Sequence, residues 1–148
     1  MGYQQALTRA FLLDTHVWIW HVEGDERHLG RRTARLIDRW AEQEALRVSP
    51  LSVFEIASLY ASGRLHLSQV PGGWMARALE NTRARLSPLS MEAALEAGRI
   101  GTAAVTDLVD RLLIATAREA DATLVTADRR ILIYAASARG LTVHDARR

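Results

Sequence analysis

The chain has 148 residues, 49% of them hydrophobic and 24% charged, with a formal net charge of +2, which is long enough for one complete core and short for two. It has no Cys, so disulfides, thiolate nucleophiles and Cys-based zinc sites are excluded. All 19 residues in the Lys-plus-Arg total are Arg, which also excludes a P-loop lysine, a Schiff base and a lysine general base.

No run of about 18 apolar residues offers a membrane span, and Met1-Gly2-Tyr3-Gln4-Gln5 lacks the basic and apolar regions of a secretory signal. The expectation is one cytoplasmic domain over residues 1–148, with its motif-bearing core at about 11–143.

Ala10 to Leu13 reads as a buried strand ending at Asp14, and a helical segment follows it. Thr33 to Glu44 reads as a helix with Leu36, Ile37, Trp40 and Ala41 on one side and Arg31, Arg35 and Arg39 every four residues on another. That arginine stripe is expected to be a solvated face paired with Asp38, Glu42 and Glu44; a grip on phosphates is the alternative. Leu46 to Val48 is a second strand, and Val53 to Ala61 a helix opened by Ser52-Val53-Phe54-Glu55, which fits the capping-box pattern. After the loop Ser68 to Gly73 come a helix from Trp74 to Arg83, a weak strand at Arg85 to Leu86 and a helix from Met91 to Arg99. Leu108 to Ala120 is a helix with Asp107 as its N-cap, Thr123 to Thr126 a strand, and Arg129 to Ala138 a helix beginning after Asp128. Leu141 to Val143 is a candidate fifth strand.

Strands alternating with helices favour an α/β domain with a mainly parallel sheet. Ligands of such sheets gather outside the carboxyl ends of the strands, which is where three of the four acids Asp14, Glu55, Asp110 and Asp128 fall. Helix capping is the structural alternative for each, least readily for Asp14, which ends what should be a central strand. The magnitudes separate the readings if the acids converge. A helix N-terminus stabilises an anion by roughly 0.3–1 kcal/mol, whereas two unit charges about 4 Å apart at an effective dielectric near 20 repel by about 4 kcal/mol. Converging carboxylates therefore bind a cation, share a proton or stay apart, and their hard oxygens suit Mg²⁺ or Mn²⁺ better than zinc.

The segments Phe11-Leu12-Leu13-Asp14-Thr15-His16, Ser52-Val53-Phe54-Glu55-Ile56-Ala57, Asp107 to Ala117 and Leu124-Val125-Thr126-Ala127-Asp128 resemble, in order and spacing, the four acidic motifs of the PIN domain. The most specific part is Asp-Arg-Leu-Leu-Ile-Ala-Thr-Ala joined to Leu-Val-Thr-Ala-Asp, and the chain is similar in particular to the VapC-type toxins of bacterial toxin–antitoxin pairs. One departure is Leu108, where the family often has Pro, and this sets Asp107 apart from Asp110.

The resemblance implies a three-layer α/β/α fold and an Mg²⁺- or Mn²⁺-dependent endoribonuclease. Asp14, Glu55, Asp110 and Asp128 become its catalytic, metal-binding set, with Asp107, Thr15 and Thr126 as auxiliaries. Thr15 and Thr126 either contact water or phosphate or serve as turn and cap hydroxyls. Arg111 either touches the scissile phosphate or pairs with Asp107, the latter being the expectation. The resemblance further implies an RNA substrate, a cognate antitoxin, a homodimer and no membrane attachment. Ile56, Leu59 and Tyr60 are the expected receiving surface for the antitoxin. His16, two residues after Asp14, is a candidate general base that a helix would carry away from the site. His21, His28, His66 and His144 read as surface groups. Trp18 and Trp20 cannot share a helix face, so one is expected in the core and the other at its rim, with a partner surface as the alternative. The competing function is a catalytically silent PIN-like scaffold or co-repressor acting with an antitoxin.

Overall fold

The computed structural model describes residues 9–148; the segment read above for a secretory signal lies outside the described residues. In chain order the elements are β1 (Phe11–Leu13), α1 (Thr15–Glu23), α2 (Arg31–Glu42), β2 (Leu46–Val48), α3 (Pro50–Ala61), α4 (Pro71–Thr82) and β3 (Arg85–Leu86). There follow α5 (Met91–Arg99), α6 (Leu108–Glu119), β4 (Thr123–Thr126), α7 (Arg129–Ser137) and β5 (Thr142–Asp145). Among the described residues, no helix is long and apolar enough to cross a membrane.

The strands form one sheet in the order β3-β2-β1-β4-β5, each neighbouring pair parallel. The chain first steps from β1 through β2 to β3 and then restarts on the other side of β1 with β4, so the order reverses between β1 and β4. That reversal opens a crevice at the carboxyl ends of the two strands.

Both central strands are covered on both faces, and their side chains alternate accordingly. Leu12 and Leu124 enter a core with Ile100, Leu113, Ile114 and Ile131, under α6 and α7. Leu13 and Val125 face the opposite core with Val17, Trp18, Ile37, Ile56 and Trp74, under α1 to α4. α5 lies against α6 through Ala93, Ala97 and Ala115, whose small side chains permit close approach. The architecture is therefore three-layered α/β/α, as expected.

The differences from expectation lie at element boundaries, and α2, read as Thr33 to Glu44, runs two residues earlier as Arg31–Glu42. Ser49, not Ser52, caps α3: its hydroxyl accepts from the Leu51 amide at 3.1 Å, and Pro50 occupies the first turn. No capping box forms, and Glu55 lies within the helix. Pro71 likewise opens α4 three residues before Trp74, and β5 is shifted by a residue or two to Thr142–Asp145. α6 begins at Leu108 without the family's proline, because the Asp107 carboxylate accepts from the Asp110 amide at 3.0 Å.

Residues after β5 fasten the start of α2. The Ala146 carbonyl accepts from the Gly30 amide at 2.9 Å, and the Arg148 carbonyl from the Thr33 amide at 2.9 Å and the Thr33 hydroxyl at 2.8 Å. A Cβ on Gly30 would stand 1.8 Å from the Arg148 carbonyl oxygen, with backbone all round it. Gly30→Ala is therefore expected to lower stability by about 1–3 kcal/mol through overpacking, read as a fall in denaturant midpoint. An unchanged midpoint would show that this clamp is dispensable.

Candidate active site

Asp14 follows β1 and caps α1, and the residue is 8% exposed. One carboxylate oxygen accepts from the Thr15 amide and the other from the Thr126 hydroxyl, both at 2.7 Å. Thr126 ends β4, and its hydroxyl oxygen also accepts from the Asp128 amide at 3.0 Å, so one hydroxyl ties together the acids that follow the two central strands. Asp128 caps α7 through the amides of Arg130 and Ile131. The Thr15 hydroxyl, in contrast, donates to Ser52 at 2.8 Å, which fastens α1 to α3.

Asp14, Glu55, Asp107, Asp110 and Asp128 line a single cleft of about 250 Å³, with His16, Val17, Trp20 and Ala127 as its remaining walls. It sits where the strand order reverses. Capping and convergence are therefore not alternatives here: Asp14, Asp107 and Asp128 each cap a helix and face the cleft.

Grouping these charges changes their acidity. Asp110 is pushed up to about 8, first by burial and then by the charges of Asp14, Asp107, Asp128 and Glu55. Asp14 is also raised, with burial outweighing the hydrogen bonds from Thr126 and Thr15 and the nearby His16 charge, while Glu55 adds to the rise. Among the described residues, no arginine or histidine lies within ion-pair distance of any of the five acids.

The donor set fits a hard divalent cation: every candidate ligand is a carboxylate, and the lining contains no sulfur. Asp14 keeps lone pairs beyond the two hydrogen bonds it accepts. The cage is open, however. Among the described residues, no three His, Asp or Glu side chains stand close enough together to hold an ion as they are placed.

Several expectations are corrected around the cleft. Arg111 makes no ion pair with Asp107 among the described residues; its Nε is buried without a partner. His16 is not carried away, because the first turn of α1 keeps it at the rim. His21 and His144 are not free surface groups: Nε2 of His21 meets Asp38 at 2.9 Å, and Nε2 of His144 meets the Thr33 hydroxyl at 2.9 Å. Asp38 is thus engaged by His21, and no carboxylate of the described residues reaches Arg31, Arg35 or Arg39. Ile56 points into the core, whereas Phe54 is 69% exposed. Trp18 is in the core against Trp74 and Trp20 at the rim. The sequence reading missed Ser52 and Trp20 as neighbours of the site. For Trp20 the signal was its spacing of four from His16.

The PIN domain family model matches residues 11–137. Comparison with curated proteins finds no sequence match. Among solved structures, a chain of VapBC2 from Rickettsia felis bound to a DNA fragment from their promoter superposes with a TM-score of 0.67 at 14% identity, over 92% of this chain and 98% of that one. A chain of DNA-bound VapBC from Salmonella typhimurium gives 0.61 at 18%, over 93% and 98%. One of FitAcB from Neisseria gonorrhoeae gives 0.56 at 20%, over 92% and 97%. At such identities the likeness is one of fold, and with the family match over most of its length the chain belongs to the PIN domain family.

Proposed function

We propose that the protein is an Mg²⁺- or Mn²⁺-dependent endoribonuclease and the toxin of a type II toxin–antitoxin pair. The observation that carries this reading is the convergence of Asp14, Glu55, Asp110 and Asp128 from four separate segments into one cleft, where none of them forms an ion pair with an arginine or histidine among the described residues. These four would hold the ion. When bound, a divalent cation supplies neutralisation of phosphate charge and an acidified water. Asp14 is the fixed member, Thr126 orients it, Asp110 carries the raised proton affinity that a bound cation would lower, and Asp107 holds the start of α6. The solved complexes that this fold resembles are toxin–antitoxin and VapBC assemblies, which supports an antitoxin as partner, with exposed Phe54 and half-buried Leu59 on α3 as its contact. A homodimer is part of the same reading. The open cage favours, as the second reading, a silent scaffold that acts only with its antitoxin.

Purified protein is expected to cleave single-stranded RNA with Mg²⁺ or Mn²⁺ and not in EDTA, and Asp14→Asn to abolish cleavage without unfolding the protein, as circular dichroism would show. Equal cleavage in EDTA would sink the metal reading. Metal-loaded protein that cleaves no RNA would support the scaffold.

Thr126→Val keeps the shape of the side chain but removes the hydroxyl that holds Asp14. A loss of about 10–100-fold in metal affinity or activity is expected, as for other groups that orient ligands. Titration of Mn²⁺ against both proteins checks it, and equal affinities would mean that Thr126 does not position Asp14.

The Asp110 proton gives a pH signature. Folding raises its proton affinity from the ordinary value of 3.8 to about 8, so its contribution to stability is complete below pH 4 and is lost as pH rises through about 8. In EDTA the thermal midpoint of Asp110→Asn should therefore gain on that of the native chain between about pH 4 and pH 8. Mg²⁺ should shrink the gain. His144 shifts downward through burial, followed by the Arg148 charge, and so acts in the opposite sense; it is common to both proteins and cancels. Parallel pH curves would refute the assignment.

A further inference from the structure

One wall of the acid cleft is aromatic and leads outward. His16 and Trp20 lie four residues apart on α1, their ring centroids 6.0 Å apart at 50°. Trp20 in turn stacks on His28, at 5.1 Å and 15°. The His28 ring is steadied by Asp25, at 2.8 Å from Nδ1 to Oδ2, yet its side chain is 59% exposed. The three rings form a ladder from the rim of the carboxylate cleft to the loop between α1 and α2.

Trp20 and Ala127 also line the adjoining hollow, of about 470 Å³, whose other walls include His28 and Arg31. That volume lies in the range of about 300–1,000 Å³ typical of ligand pockets. Arg31 is shared once more with a shallow groove formed with Arg35 and Arg39. The order along the surface is therefore acids, rings, arginines. The three arginines are exposed, and no carboxylate among the described residues neutralises them, since Asp38 is turned to His21. Glu26 borders this hollow, and with Asp25 and Asp38 it lines a neighbouring one that includes Arg31 and Arg35.

An unpaired nucleic-acid strand offers bases with free π-faces and a phosphate chain, and proteins bind it by combining stacking rings with a basic groove. A duplex keeps its bases stacked on one another and has no face to offer. We propose that the His16–Trp20–His28 ladder and the Arg31, Arg35 and Arg39 stripe form the path of a single-stranded RNA leaving the cleft. A base beside the scissile phosphate stacks against the exposed His16 end of the ladder, which Trp20 backs, and the phosphates beyond it follow α2. The inference rests on the nuclease reading for its scissile bond, but its binding readout does not.

The test uses the Asp14→Asn chain in Mg²⁺ and a fluorescein-labelled RNA of about twelve unpaired nucleotides, with affinity read by anisotropy and cleavage followed separately in the native chain. Trp20→Ala and His28→Ala should each weaken binding about tenfold, Trp20→Phe should restore most of it, and the same RNA annealed to its complement should bind poorly. Arg31→Gln with Arg35→Gln should reduce the slope of log affinity against log salt by about 1.4, or about 0.7 per phosphate contact. Native cleavage with affinity and slope unchanged in these variants overturns the path and leaves the nuclease reading standing. The predicted binding losses without native cleavage do the reverse. Failure of the single strand to bind, or equal binding of the duplex, also overturns the path. Should Trp20→Ala unfold, Trp20→Phe, His28→Ala and the arginine pair decide the matter.

Discussion

The Asp14 carboxylate sits inside the protein at the end of the central strand, held by one backbone amide and one hydroxyl, and the surrounding cleft is organised about that fixed negative charge. Burial alone works against its ionisation, and the two hydrogen bonds only partly offset this. Each further acid brought near it raises the electrostatic cost, which the structure shows most clearly in the proton affinity of Asp110. The strand order makes this crowding unavoidable. With β1 and β4 adjacent and parallel and Leu13 paired with Val125, Asp14 emerges level with Thr126, two residues before Asp128, at the same end of the sheet. The cleft thus stores unfavourable electrostatics, seen in the raised proton affinities of Asp110 and Asp14.

Thr126 and Ser52 make the surroundings stiff. The first joins the two acids after β1 and β4, and the second joins α1 to α3 through Thr15. Glu55 and Asp110 instead sit on helices and accept no hydrogen bond from a described residue, so the site pairs a rigid anchor with adjustable acids. Such a division suits an ion that arrives after folding.

Much of the fold was legible because its strands are short apolar runs and most of its helices carry a strong 3.6-residue period. α1 was harder to bound: Thr15, Val17, Trp18 and Ile19 are all buried, so no polar face marks its period. Ser52 and Glu55 matched a capping box, but Pro50 favoured the earlier start and Ser49 took the cap. The same sequence also hid the direction of Ile56, which periodicity places on one of two faces without saying which is covered. The acids of the cleft were legible as motifs. Their engagement was not, because the bonds from Thr126 to Asp14 and from Thr33 to His144 join residues more than a hundred positions apart. Asp38 illustrates the same limit. Neighbouring arginines on its own helix made a local ion pair plausible, and a histidine from α1 took it instead.

The pairing of β1 with β4 has a bearing on how the protein is made. The bond between Asp14 and Thr126 spans 112 positions, and contacts of such separation form late. While the ribosome is still short of residue 128, the emerging chain already carries Asp14, Glu55 and Asp110 but has no β4 to set beside β1. The Asp14–Thr126 bond, and a cleft that includes Asp128, can therefore form only after synthesis has passed those residues.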